Sequence, residues 1–144
     1  MFKKILISTD GSDISQKAVQ TAVQLARETG GELFAISVKE PFPYSAISEM
    51  QPVPPQEFYD AQQRIAAERV KAVAELAGAG GVACQAHTVE ALHPWEAILD
   101  HAKTQGCDVI VMASHGRRGL SALLLGSETQ KVLTHSAIPV LVIK

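Results

Sequence analysis

The chain has 144 residues, 47% of them hydrophobic, and its 13 basic and 15 acidic side chains leave a formal net charge of −2. This length fits one domain with a sizeable core, and the charge balance lacks the basic footprint of a nucleic-acid-binding protein. The two cysteines, Cys84 and Cys107, lie too far apart for a disulfide framework or a zinc motif. No apolar run reaches the roughly 18 residues of a membrane span, and the N-terminal MFKKILISTDG lacks the features of a signal peptide. We therefore expect a cytoplasmic protein.

The first apolar run, Lys4–Ser8, predicts a short buried strand. The TDGSD that follows it offers Asp10, Ser12 and Asp13 as caps for a helix. Apolar residues at helical spacing continue this helix to about Glu28, where paired glycines end it.

A second strand is predicted at Glu32–Val38. The segment Glu40–Gln56 holds five of the seven prolines and is therefore predicted to be a loop. A long helix follows from about Glu57 to Ala77. Val82–Val89 alternates between polar and apolar residues more than the other strands, which predicts an edge or partly exposed strand.

The last third of the chain repeats this alternation. His93-Pro94 opens a third helix, with proline at or near its first turn, and Gly106 ends it. Asp108–Ala113 predicts a fourth strand, which runs into the glycine-containing segment SHGRRGLSALLLGS. A helix from Ser127 to about His135 and a final strand at Pro139–Ile143 complete the pattern.

Alternating strands and helices predict an α/β fold, a five-stranded parallel, doubly wound, Rossmann-like sandwich that forms one domain over residues 1–144. Ligands of such sheets bind beyond the carboxyl ends of the strands, where the strand order reverses. Three segments emerge there: Ser8–Gly11 after the first strand, Val38 after the second, and Ala113–Gly116 after the fourth.

The start of the fourth predicted helix, Gly126-Ser127, has the chemistry of a phosphate site. The first backbone N–H groups of a helix lack internal partners and carry partial positive charge, and they bind anions. Gly116 would let the preceding loop fold over the same place, and Arg117 or Arg118 would add charge. The same Gly-Ser pair also makes a good helix cap without any ligand. Neither the Walker A pattern nor GxGxxG is present.

These segments resemble the universal stress protein family over nearly the whole chain. The resemblance rests on ILISTDGS, HPWEAIL, DVIVMASHGRRGL, LLLGS and IPVLVIK. Members of that family that bind ATP carry Gly, two residues, Gly, nine residues, and then Gly followed by Ser or Thr. Gly116 and Gly126 match the second and third glycines, Ser127 closes the motif, and Ala113 replaces the first glycine.

The resemblance implies an ATP site without a dedicated metal site, where Mg²⁺ would be held by the phosphates and Asp10. Asp10 would lie near the ribose or the divalent ion, and the backbone of Val38 would face the adenine edge. The phosphates would contact Gly116, Arg117, Gly126, Ser127 and the Glu128 backbone. The full set of implied nucleotide-binding residues is Ser8, Thr9, Asp10, Val38, Met112, Ala113, His115, Gly116, Arg117, Gly126, Ser127 and Glu128.

Two positions depart from the pattern of the family's ATP binders. A methyl group at Ala113 would cost about 1–2 kcal/mol if the backbone there had positive φ, but almost nothing at the extended end of a strand. Glu128 stands where an apolar residue is common. Its carboxylate suits the N-terminus of a helix, yet it would oppose a triphosphate at close range. Both departures weaken the expectation of ATP binding.

Family members usually form homodimers, often through the last strand, which here contributes Val140, Leu141, Val142 and Ile143. Such pairing would cover an apolar edge that is otherwise a liability. The alternative interpretation is that this strand is buried inside the monomer.

We do not expect an enzyme, although slow ATP hydrolysis is compatible with the site. Ser114 and His115 are adjacent, and neighbours on an extended chain point in opposite directions, which makes them a poor relay. Two functions remain open. One is an ATP-binding dimeric switch of the stress response, read by unidentified protein partners, and the other is a dimeric interaction module that does not need nucleotide.

Overall fold

The computed structural model describes residues 1–39, 41, 55–116 and 124–144. In chain order its elements are β1 (Lys4–Ser8), α1 (Asp13–Thr29), β2 (Glu32–Lys39), α2 (Pro55–Ala79), β3 (Cys84–Glu90), α3 (Pro94–Gln105), β4 (Val109–Ala113), α4 (Ser127–His135) and β5 (Val140–Ile143). The predicted elements are thus confirmed in order, and their ends differ by at most two residues.

The predicted proline-rich loop falls mostly outside the described residues. At its end the prediction was wrong, because Pro55 and Gln56 belong to α2. Proline fits the first turn of a helix, where the missing N–H would have no intrahelical partner.

The five strands form one parallel sheet in the order β3-β2-β1-β4-β5. From β1 the chain moves outward through β2 to β3, and it then returns to the other side of β1 with β4 and β5. The order therefore reverses between β1 and β4, and the carboxyl ends of these two strands diverge there.

Both edges of the sheet are partly exposed. The prediction for the third strand is confirmed, because β3 is one edge. β5 is the other edge, and 39% of the Leu141 surface is exposed. The interpretation of β5 as a strand buried inside the monomer is therefore wrong.

Helices cover both faces of the sheet. On the first face, side chains such as Ile5 and Ile7 pack against α1 and α2. On the second face, Leu6, Phe34 and Ile110 pack towards α3 and α4. Burial on both faces explains why the central strand is a continuous apolar run rather than an alternating one.

The ends of α1 follow the predicted capping chemistry. Of the three candidate caps, the structure uses Ser12, whose Oγ accepts a hydrogen bond from Ser15 N at 3.3 Å. Asp10 instead accepts from the backbone N–H of Ser12, at 2.9 Å. The helix ends at Gly30, whose left-handed backbone (φ 66°) suits glycine. Asp10 therefore lies before the helix, just beyond the carboxyl end of β1.

Both cysteines are free, and burial raises the pKa of each, that of Cys107 to about 11. No helix in the described ranges combines the length and apolarity needed to cross a bilayer.

Candidate functional site

The turn after β1 and the turn after β4 touch at the point where the strand order reverses. A Cβ atom added to Gly116 would lie 2.8 Å from Oδ2 of Asp10, which is closer than real side chains approach. Glycine at this position therefore allows the Asp10 carboxylate to lie against the backbone of the second turn. The contact brings two predicted site residues together.

Gly126 closes the loop between β4 and α4. Its N–H donates to the carbonyl oxygen of Ser114 at 2.7 Å, and an added Cβ would stand 3.1 Å from Cα of His115. The backbone of Gly126 is extended (φ −63°, ψ 154°), so no positive φ demands glycine here. Close packing of the two ends of the loop accounts for this glycine, whether or not a ligand binds.

The N-terminus of α4 has no side-chain cap from its N-cap residue. Gly126 is the N-cap and has no side chain, and Ser127 is the first helical residue and is exposed. The N–H groups of the first turn, residues 127–129, therefore receive no hydrogen bond from an N-cap side chain. Thr129, buried, anchors the helix by donating from Oγ1 to the carbonyl of Ala113 at 2.9 Å. The arrangement is a helix N-terminus suited to an anion.

Ala113 does not obstruct this site. It is the last residue of β4, it pairs with Ile143, and it is 8% exposed within the core of the first face. Phe2 is the only described non-glycine residue with positive φ. The methyl group of Ala113 thus sits on extended backbone, and the expected conformational cost does not arise.

The carboxylate of Glu128 is bound by a neighbouring helix. Its Oε2 accepts a hydrogen bond from the backbone N–H of Trp95 at 2.8 Å, at the start of α3. The N-cap residue of that helix, His93, makes no side-chain cap bond, so Glu128 supplies the acceptor that α3 lacks. The expected opposition between this carboxylate and a triphosphate is therefore reduced by its engagement with the neighbouring helix.

Replacement of Glu128 by Ala is expected to cost about 0.5–2 kcal/mol of unfolding free energy, the usual effect of losing a helix cap. Urea unfolding followed by Trp95 fluorescence measures it, with Lys131→Ala as the control because Lys131 is exposed on the same helix. Glu128→Ala is expected to gain little nucleotide affinity, since the carboxylate lies against α3. A large gain would show that the charge does act on the ligand.

The other predicted site residues are either partly exposed or buried. Ser8 ends β1 half-exposed, and Val38 is half-buried at the end of β2, next to the cluster of the second face. Thr9 and Met112 are buried, at 4% and 6% exposure. The Thr9 hydroxyl lies 3.2 Å from Ser15 Oγ and accepts from the N–H of residue 11, so it supports the turn from inside.

His115 is half-buried, and its Nδ1 lies 3.2 Å from the Ser114 hydroxyl. The expectation that these two side chains point apart is therefore wrong, because both residues follow the last residue of β4 and are not on a regular strand. Arg117 falls outside the described residues. The structure thus brings Asp10, His115, Gly116 and the start of α4 together, whereas it turns the side chains of Thr9 and Met112 inward.

Sequence reasoning missed Arg69. This side chain reaches from α2 to the turn after β1, where its Nε would lie 3.1 Å from a Cβ added to Gly11. Gly11 has positive φ (79°), which separately favours glycine there. Arg69 is half-buried in the middle of a long helix, and no local motif distinguishes it. Elsewhere in the described part of the chain, no three His, Cys, Asp or Glu side chains group as metal ligands.

Comparison with known proteins agrees with this architecture. The sequence matches the model of the Universal stress protein family over residues 1–144. The protein belongs to this family. This universal stress protein is 36% identical over 150 residues to the universal stress protein YxiE of Bacillus subtilis, and the alignment covers 100% of both chains.

Solved structures of universal stress proteins share the fold. UspA from Lactobacillus plantarum superimposes with a TM-score of 0.86 at 24% identity, covering 99% of this chain and 98% of that one. A protein from Archaeoglobus fulgidus in complex with dAMP gives 0.72 at 19% identity, covering 100% of each chain. A family member in complex with cAMP gives 0.72 at 22% identity, covering 99% of this chain and 97% of that one.

Proposed function

We propose that this universal stress protein binds ATP, with Mg²⁺, where β1 and β4 diverge, and that it acts as a dimeric, nucleotide-dependent switch in the cytoplasmic stress response. The observation that carries the proposal is the uncapped N-terminus of α4, with Ser127 exposed at its first position. Nucleotides bound by two structural neighbours support an adenine nucleotide as the ligand.

Each part of the nucleotide has a place in this proposal. The first turn of α4 would take the phosphates, because its amides donate and the helix end carries partial positive charge. Asp10, fixed by Ser12 N and by its contact with Gly116, would face the ribose or the magnesium ion. Arg69, beside the same turn, adds a cation at the rim. Bound nucleotide would thus join the turns after β1 and β4.

We propose no dedicated catalysis at this site. The Ser114 hydroxyl lies 3.2 Å from Nδ1 of His115, but Ser114 is only 3% exposed. A buried hydroxyl cannot reach a substrate, and the described residues offer no positioned base and orienting partner of the kind that acyl or phosphoryl transfer uses.

Dimerisation is proposed through β5. It is an edge strand with one neighbour in the sheet, and Leu141 exposes 39% of its surface there. Pairing with a second copy would cover this edge.

The second candidate function is a dimeric interaction module that needs no nucleotide. It is favoured by the finding that contacts within the protein restrict both motif glycines: an added Cβ would meet the Asp10 carboxylate at Gly116 and the His115 backbone at Gly126. Both candidate functions include a dimer, but only the first predicts that nucleotide changes the protein.

Thermal unfolding with and without about 1 mM Mg-ATP separates the two functions, since a ligand at 100 times its Kd adds about 2.7 kcal/mol to stability. The proposed function predicts a rise of several degrees with ATP and less with GTP or adenosine. Light scattering on the same samples gives the mass of the particle. Equal melting temperatures with and without every nucleotide would leave the nucleotide-independent module as the function.

A further inference from the structure

Two histidines meet between the edge strand β3 and helix α3. The ring centroids of His87 and His101 are 4.9 Å apart, with planes tilted by 58°. His87 Nδ1 and His101 Nε2 are buried, and in the described structure neither has a hydrogen-bond partner. A buried polar atom without a partner normally costs stability, so this pair requires an explanation.

Within the described residues, the charged side chains on the elements around the two rings are exposed or bonded elsewhere. On the same face of β2, next to β3, the side chains are Phe34, Ile36 and Val38, which belong to the apolar cluster of the second face. Lys39 of β2 bonds to Gln63 of α2, which packs on the other face of β3. The remaining charged side chains of β3 and α3 are exposed: Glu90, Glu96, Asp100 and Lys103. On α4, which packs against α3, Glu128 binds the N–H of Trp95, Lys131 is exposed and His135 stacks on the Trp95 ring.

Burial lowers the pKa of His101 below its ordinary value of 6.5, and the charge of His87 lowers it further. The folded protein therefore binds this proton less readily than the unfolded chain does. A histidine of this kind contributes stability above its unfolded pKa, and that contribution is lost as the pH falls below it. The stabilising contribution of this ring contact should decline from slightly acidic pH downward.

We propose that the contact between His87 and His101 is an acid-sensitive latch, which holds β3 against α3 while the His101 ring is neutral and weakens when that ring takes up a proton. The proton comes from solvent, adds to a ring nitrogen of His101 and makes both of its nitrogens donors. The charged ring then stands 4.9 Å from the ring of His87, beside apolar side chains, and its buried Nε2–H has no acceptor among the described residues. Movement of the two rings apart would let this N–H reach water.

Proton uptake is favoured over metal binding for this pair. Structural metal sites for soft divalent ions use about four protein ligands. Within the described ranges, no third His, Cys, Asp or Glu joins the two rings. A metal ion bound by these two imidazoles alone would lack the rest of its protein ligands, so proton uptake is the favoured chemistry.

The first test is an NMR titration of the histidine ring protons in the wild-type protein, which needs no substitution. The His101 ring is expected to titrate below the ordinary histidine value of 6.5. A midpoint at or above 6.5 would overturn the proposal. So would stabilisation by millimolar Ni²⁺ or Zn²⁺ that disappears in His87→Leu, because the pair would then be a metal site.

The second test measures the unfolding constant against pH. A histidine kept neutral by the fold raises that constant by about tenfold between about pH 7.5 and about pH 5.5. The wild type is therefore expected to lose stability over this range by up to that factor relative to His101→Leu and to His87→Leu. His93→Gln is the control and should follow the wild type. Parallel profiles for all four proteins would overturn the latch.

Amide hydrogen exchange locates the effect in the full-length wild type. After correction for the intrinsic pH dependence of exchange, β3 and α3 are expected to lose protection at acidic pH before β1 does. Uniform loss across the sheet would contradict a local latch. None of these measurements involves nucleotide, so the result is independent of the proposed function.

Discussion

Ser127→Asp is expected to abolish stabilisation by ATP while leaving the unliganded protein at least as stable as the wild type. Ser127 is exposed at the first position of α4, and its N-cap is a glycine without a side chain. An aspartate there would interact favourably with the helix N-terminus by about 0.3–1 kcal/mol. The same carboxylate would stand where the proposed function places a phosphate.

The two effects of Ser127→Asp have opposite signs, which makes the variant informative. Like charges about 4 Å apart repel by about 4 kcal/mol at an effective dielectric constant of about 20, which is roughly a thousandfold in affinity. Thermal unfolding of the variant with and without Mg-ATP measures both effects. Ser127→Asn, similar in size and uncharged, should keep most of the response. If Mg-ATP raised the melting temperature of Ser127→Asp as much as that of the wild type, the proposal that the phosphates bind at the start of α4 would be wrong.

Valine substitutions of the motif glycines would be less informative. Side chains at Gly116 and Gly126 would collide with Asp10 and with His115 whether or not a nucleotide is bound. A comparison of positions 127 and 128 is more informative, because carboxylates at these two neighbouring positions would have different partners. At 128 it binds α3, whereas at 127 it would face the ligand.

Gly31→Ala is expected to destabilise the protein by about 1–3 kcal/mol through overpacking. A Cβ at this position would lie 2.8 Å from the carbonyl oxygen of Lys3 and 2.9 Å from that of Phe2. Both are backbone atoms beside the start of the sheet, and Lys3 O also accepts from the N–H of Glu32. Relief of the clash would disturb the first pairing between β1 and β2.

Gly78→Ala is the matched control and should change stability in the opposite direction. Gly78 lies exposed in α2, with nothing within 4 Å of an added Cβ. Alanine there is expected to stabilise by up to roughly 1 kcal/mol, because glycine in a helix costs backbone entropy. Urea unfolding of both variants gives the comparison. Equal effects of the two substitutions would mean that the close approach at Gly31 is absorbed without cost.

The fold was predictable from sequence because each level of the pattern agrees with the next. The continuous apolar run of β1 indicated burial on both faces, and the alternation before Glu90 indicated an edge. Glycines marked the ends of α1 and α3, where the left-handed backbone of Gly30 and Gly106 requires them. Local rules and tertiary packing point to the same elements here.

The candidate site was less predictable, because its decisive contacts join residues far apart in the chain. The sequence predicts that the Glu128 carboxylate opposes a phosphate, because its hydrogen bond with the N–H of Trp95 joins two residues that are distant in the chain. The cost of Ala113 depended on one backbone angle that sequence does not report. Arg69 reaches Gly11 from a different helix, and the atom closest to a Cβ added at Gly116 belongs to Asp10, more than a hundred residues earlier. Spacing within a motif carries none of this information.

The link between α4 and α3 also equips the protein with an optical probe. Trp95 is the chain's single tryptophan. Its backbone N–H binds Glu128, one residue after the proposed phosphate contact, and its ring stacks on His135 at 4.6 Å. Indole emission responds to the polarity and the charge of its neighbours, so the unlabelled protein carries a fluorophore beside the first turn of α4. Intrinsic fluorescence can therefore follow events at this helix in real time, without any chemical modification of the chain.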